Sequence, residues 1–94
     1  MLKLDDVLQC APGVVSRQTE DELVVVLPEQ ARFLVLNETG AQVWQLADGQ
    51  RTLSDIAQSL VKTWQIDQAQ AEGDVLRLAG QLMERGALVR GDYS

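Results

Sequence analysis

Cys10 is the only cysteine in this 94-residue chain, and the chain has no histidine to ionise its thiol. A thiol without a base or a cationic neighbour is mostly protonated at neutral pH, so Cys10 reads as a small apolar residue, not a nucleophile. One cysteine can form neither an intramolecular disulfide nor a cysteine-cluster zinc site. The lack of histidine also removes the commonest transition-metal ligand and the usual neutral-pH proton shuttle. Carboxylates are plentiful, but Asp5-Asp6 and Glu20-Asp21-Glu22 are like-charge runs in turn-like contexts, the pattern of solvated surface. Gly13, Gly40 and Gly49 are isolated, so no glycine-rich loop is available to cradle a phosphate. Serine or threonine without a base is not a nucleophile. No catalytic residue, no metal and no cofactor is expected, and the chemistry left to such a chain is binding.

Composition sets the same bounds. Ninety-four residues make one small domain, able to bury roughly 65% of its unfolded surface. The apolar share of 46% and charged share of 23% are those of a folded globular chain. The N-terminal Met1–Leu8 stretch is too short and too charged for a signal peptide, and no apolar run nears the roughly 20 residues of a membrane span. With a single cysteine, a cytoplasmic protein is expected. The net charge of −6 argues against nucleic acid and anionic membrane as partners, since both select basic patches.

The elements that must position any binding site follow from periodicity. Ala11-Pro12-Gly13 is a turn. Val14–Gln18, Leu23–Leu27 and Arg32–Leu36 read as three short strands, the second a continuous β-branched run closed by Pro28, which has no N–H for a ladder. Tight turns between them predict an antiparallel meander. The period then changes. Asn37 is a helix N-cap, and Ala41, Val43, Trp44 and Ala47 follow at helical spacing up to Gly49. Thr52 with Asp55 makes a capping box for a stripe of Leu53, Ile56, Ala57, Leu60, Val61 and Trp64. Asp67 with Gln70 starts a third helix, whose stripe is Val75, Leu78, Ala79 and Leu82, with Leu76 and Met83 on one shoulder, where they suit either the core or the lining of a groove. Gly86 is its stop, Ala87-Leu88-Val89 an apolar exit, and Arg90 to Ser94 a frayed tail. The packed domain is expected to span about residues 11–89. Three strands before three helices make an α+β fold. Trp44 and Trp64 both lie on apolar stripes, so core positions are expected for them.

Helices beside a small sheet also suit a winged-helix DNA-binding regulator, with the third helix as its reader. Residues 67–86, however, carry Asp67, Glu72, Asp74 and Glu84 against Arg77 and Arg85, and a net acidic reading helix repels phosphates.

One pattern is more specific. Ala11-Pro12-Gly13-Val14, Leu27-Pro28-Glu29-Gln30 and the junction Leu36-Asn37-Glu38-Thr39-Gly40-Ala41 stand in order. Trp44, Asp48-Gly49, Arg51-Thr52-Leu53, Ile56, Asp74-Val75, Leu78, Leu82 and Gly86-Ala87-Leu88 follow. Together these resemble the PqqD-like family of RiPP recognition elements, over nearly the whole chain. The resemblance implies a three-stranded antiparallel sheet on a three-helix bundle, winged-helix-like in outline. It implies a peptide chaperone, not an enzyme, that holds the leader segment of a precursor peptide. The leader would add as a strand to Arg32, Phe33, Leu34, Val35 and Leu36, in a groove walled by Leu76, Ala79, Gly80 and Met83. The implied partner is a separate modifying enzyme: a radical SAM enzyme, as in pyrroloquinoline quinone biosynthesis, or a lasso-peptide leader peptidase. An open strand edge also allows a monomer to form a weak or strand-exchanged dimer. A purely structural subunit of a larger complex is the remaining reading.

Overall fold

The structure is a computed structural model and describes residues 2–91. In chain order its elements are β1 (Leu8–Cys10), β2 (Val15–Gln18), β3 (Leu23–Leu27), β4 (Arg32–Leu36), α1 (Glu38–Leu46), α2 (Leu53–Trp64), α3 (Gln68–Glu84) and β5 (Leu88–Arg90), with one 3-10 turn at Pro28–Gln30. The fold is α+β. β2, β3 and β4 form an antiparallel sheet in that order, and three helices follow it. Leu23, Val25 and Leu27 of β3 are buried while Val24 and Val26 are half-exposed, the period of two that a one-sided sheet imposes. Through the register Leu23 with Leu36 and Val25 with Leu34, Leu34 and Leu36 share that buried side.

Each helix starts at the residue its chemistry predicts. The Asn37 side chain accepts from the Gly40 amide at 2.8 Å, and the Thr52–Asp55 capping box is complete in both directions. The Asp67 side chain accepts from the Gln70 amide at 2.7 Å. Each cap satisfies a donor that has no partner inside its helix. The core gathers Leu23, Val25 and Leu27 from the sheet, Val43 and Trp44 from α1, Leu53, Ile56 and Leu60 from α2, and Ala71, Val75, Ala79 and Leu82 from α3.

Three expectations need correction. β1 pairs antiparallel with β5, Leu8 opposite Arg90, so a second, two-stranded sheet joins the chain's two ends. Leu8 is fully buried and Val7 nearly so, and the packed domain begins before residue 11. Residues 4–8 run beside the start of α2: Leu53 and Ser54 amides donate to the Asp6 and Leu4 carbonyls at 2.9 and 2.8 Å, capping a helix end with another segment's backbone. Second, Arg90 is a strand residue and its guanidinium sits 2.8 Å from the Asp6 carboxylate, so the expected tail does not start there; residues 92–94 of it lie outside the described residues. Third, Trp44 is core but Trp64 is not. Trp64 ends α2 at the surface, where its indole Nε1 donates to Gln42 Oε1 at 3.0 Å. Gln42 in turn donates to Ser59 and Thr63, so the indole closes a polar link between α1 and α2.

Candidate functional site

β4 is an edge strand: among the described residues it pairs with β3 alone. Its other side carries the unpaired N–H and C=O groups that any edge strand presents. That side opens into a cleft of about 330 Å³ lined by Phe33, Leu34, Val35 and Leu36 from β4, Gly40 from α1, Leu78, Gln81 and Leu82 from α3, and Arg85 at the α3 C-cap. Leu78, Leu82 and Arg85 are spaced four and three apart, so they form one row along the helix.

The cleft's two ends are set by short-range packing. At the α1 end, a Cβ on Gly40 would lie 3.3 Å from Asn37 Oδ1 and 3.5 Å from Leu36 Cβ; glycine lets the cap, the strand end and the helix meet. At the other end, Gln30 Nε2 donates to the Arg85 carbonyl at 3.0 Å, tying the turn before β4 to the end of α3. Gly86 has φ +81°, and a Cβ there would meet Gln30 Nε2 at 2.6 Å, so this tie also depends on glycine.

The chemistry of the cleft is apolar side chains, open backbone hydrogen-bonding groups, the Gln81 amide and one cation, Arg85. No buried charged side chain occurs among the described residues, nor does any group of three or more potential metal ligands. Cys10 is exposed on β1, and desolvation pushes its thiol above the ordinary range, which leaves little thiolate. Asp48 is held below the ordinary carboxylate range, first by the Gln50 amide and then by Arg51; this is turn chemistry after α1. No helix among the described residues is long and apolar enough to cross a membrane. The arrangement suits capture of an extended chain: backbone pairing along an edge, with shallow apolar contacts beside it.

The sequence profile of the family described as "Coenzyme PQQ synthesis protein D (PqqD)" matches residues 22–88, from the sheet to β5. The chain belongs to the PqqD family. It is 37% identical, over 71 residues covering 76% of this chain and 75% of the other, to a PqqA binding protein of Xanthomonas oryzae pv. oryzae. It superposes with TM-score 0.81 and 33% identity on the solution structure of the PqqD truncation of Methylobacterium extorquens PqqCD, over 96% of both chains. That truncation is described as a functional, stand-alone RiPP recognition element. A lasso peptide synthetase B1 solved with its leader peptide shares the fold, with TM-score 0.80 at 24% identity over 87% of this chain and 96% of that one.

Within this PqqD-family chain the expected site residues divide. Phe33, Leu34, Val35 and Leu36 line the cleft, while Arg32, paired with Leu27 at the start of β4, lines a second depression instead. The expected wall does not line the cleft. Ala79 is fully buried. Gly80 lies against Leu2, whose Cδ1 is 4.0 Å from a Cβ built on it. Leu76 and Met83 flank Gly80 by four and three residues and share its side of the helix; both pack on the core as half-buried side chains. Met83 and Leu78, five residues apart, point about 140° away from each other at 3.6 residues per turn. The helix side of the cleft is lined by Leu78, Gln81, Leu82 and Arg85, and the four-three spacing of Leu78, Leu82 and Arg85 was the available signal.

Proposed function

We infer that this chain is a non-catalytic recognition element. It captures the leader segment of a ribosomally made precursor peptide as an added strand on β4 and holds the peptide for a separate modifying enzyme. The carrying observation is the coincidence of an unpaired strand edge with a cleft on its open side where Leu78 and Leu82 face that edge. The kinship with a PqqA binding protein and with a stand-alone RiPP recognition element supports the same reading. Mechanistically the leader supplies N–H and C=O groups to β4, and its alternate side chains enter the cleft against Leu78 and Leu82. Affinity comes from the backbone pairing and selectivity from the pockets. Capture raises the effective concentration of the attached core peptide near the enzyme. Among the expected enzyme classes, the more similar PqqA-binding relatives favour a radical SAM enzyme over a leader peptidase. Such a role belongs in the cytoplasm, where precursors are made.

The test is a titration of isotope-labelled protein with a synthetic PqqA leader, the precursor class for which the Xanthomonas oryzae relative is named. Saturable binding, with the largest amide shifts in Arg32–Leu36 and residues 78–85, is expected. Saturable binding to random duplex DNA with none to the leader would establish the regulator reading instead.

A further inference from the structure

Among the described residues no helix covers the outer face of the sheet, yet that face is apolar. The register places Val15 opposite Val26, Arg17 opposite Val24, Phe33 opposite Val26 and Val35 opposite Val24. These pairs turn away from the core, since Leu23, Val25 and Leu27 occupy the inner side. Three of the four exposed large hydrophobic residues in the chain's described part lie here: Val15 at 58% exposure, Phe33 at 68% and Val35 at 50%. Scattered exposed apolar residues need no account, but a gathered patch does. A depression of about 670 Å³ on this face is lined by Val15, Val24, Val26 and Phe33, with Arg17 and Arg32 as its charged members among the described residues. In a chain of net charge −6, a patch whose charges are arginines is a local inversion.

We propose that this face is the docking surface for the modifying enzyme, whose complementary surface is apolar and ringed by carboxylates. The proposal rests on the leader-capture reading above. Two arguments select this occupant. β4 has three sides: the core takes one, the cleft edge takes the leader, and the outward side chains of Phe33 and Val35 are left for a third body. Charge opposes self-association, because stacking two copies would bring their Arg17 side chains, opposite outward-facing Val24, into one small area, whereas carboxylates on an enzyme are attracted to them. Docking beside the edge keeps the captured peptide within short reach of the active site.

The test uses a synthetic PqqA leader, the precursor class for which the Xanthomonas oryzae relative is named, and a radical SAM enzyme that modifies that precursor. The variants are the triple Val15→Thr, Val24→Thr, Val26→Thr, which keeps β-branched shape, and the single Arg17→Glu on the exposed strand β2. Both lie off β4. Leader affinity within twofold of the parent, with enzyme affinity down at least tenfold in either variant, is expected. Unchanged enzyme affinity with leader binding intact overturns the docking surface and leaves leader capture standing. A parent protein that does not bind the leader overturns both. Concentration-dependent dimers in sedimentation, abolished by the triple variant, would make the face a self-interface and overturn the enzyme assignment. Arg17→Glu alone decides the matter if the triple variant does not fold.

Discussion

Leu78 is half-buried and faces the edge of β4 across the cleft, so its truncation removes a contact from the ligand and little from the core. Leu78→Ala is expected to weaken leader binding by about 1–3 kcal/mol, the range of an apolar anchor, with a small loss of stability. Leu76→Ala and Met83→Ala should do the reverse, lowering the denaturant midpoint while leaving leader affinity unchanged. Leu82 is 4% exposed and forms the cleft floor, so Leu82→Ala should cost about 2–5 kcal/mol of stability. Paired calorimetry and urea melts on the four variants check this; binding loss at Leu76 or Met83 with Leu78 neutral would place the groove on the other side of α3. A second residue-scale prediction concerns Gly86. Alanine there meets both a left-handed backbone and the Gln30 amide, and should cost about 1–2 kcal/mol, read in the same melts. Leu76 and Met83 were expected at the cleft because helical spacing fixes which residues share a side but not which side meets which neighbour. Leu2 and Leu4 pack on the core, and nothing near residues 76–83 announces that an N-terminal segment lies against Gly80.

At the scale of elements, β4 is the strand on which capture depends. Alternate residues of an edge strand direct their N–H groups to the neighbouring strand or to the open side. Proline at one parity, Phe33 and Val35 or else Leu34, should therefore abolish leader binding and keep the fold. Proline at the other parity should break the β3–β4 ladder itself. Circular dichroism followed by leader titration separates the two, and undiminished affinity in every folded proline variant would rule out strand addition. β2 to β4 and the helices were legible because their signals are local: Pro28 closes β3, and Asn37, Thr52 and Asp67 each hold an amide three residues ahead. β1 and β5 were not legible. Each has three residues, and their partners lie about eighty positions apart in the chain. Leu88-Val89 alone carries no signal that distinguishes an exit from a strand, because its pairing exists only once α3 has returned the chain to its start.

For the molecule as a whole, charge and the closure of its ends make the remaining predictions. α3 is acidic overall, with Glu72, Asp74 and Glu84 against Arg77, so no saturable binding to duplex DNA is expected at physiological salt, measured by fluorescence anisotropy; micromolar affinity with a steep salt slope would contradict it. The closure concerns Asp6 and Arg90, which pair across the two-stranded sheet. The Asp6 carboxyl is held below its ordinary value, first by the Arg90 side chain and then by the Lys3 amide. Its folded pKa is thus lower than its unfolded one, and the unfolded chain binds more protons between the two values. The pair's contribution is complete above the ordinary carboxylate value and is lost as pH falls through the lowered folded value. Asp6 is half-buried and the effect is local, so the expected outcome is loss of amide protection in β1 and β5 on acidification before loss in β2–β4. Asp6→Asn should expose the β1–β5 amides already at neutral pH and flatten their acid dependence. Hydrogen exchange followed residue by residue checks this. Identical acid profiles for the parent and Asp6→Asn would mean that burial of Leu8 and Leu88 closes the ends of the chain without help from the ion pair.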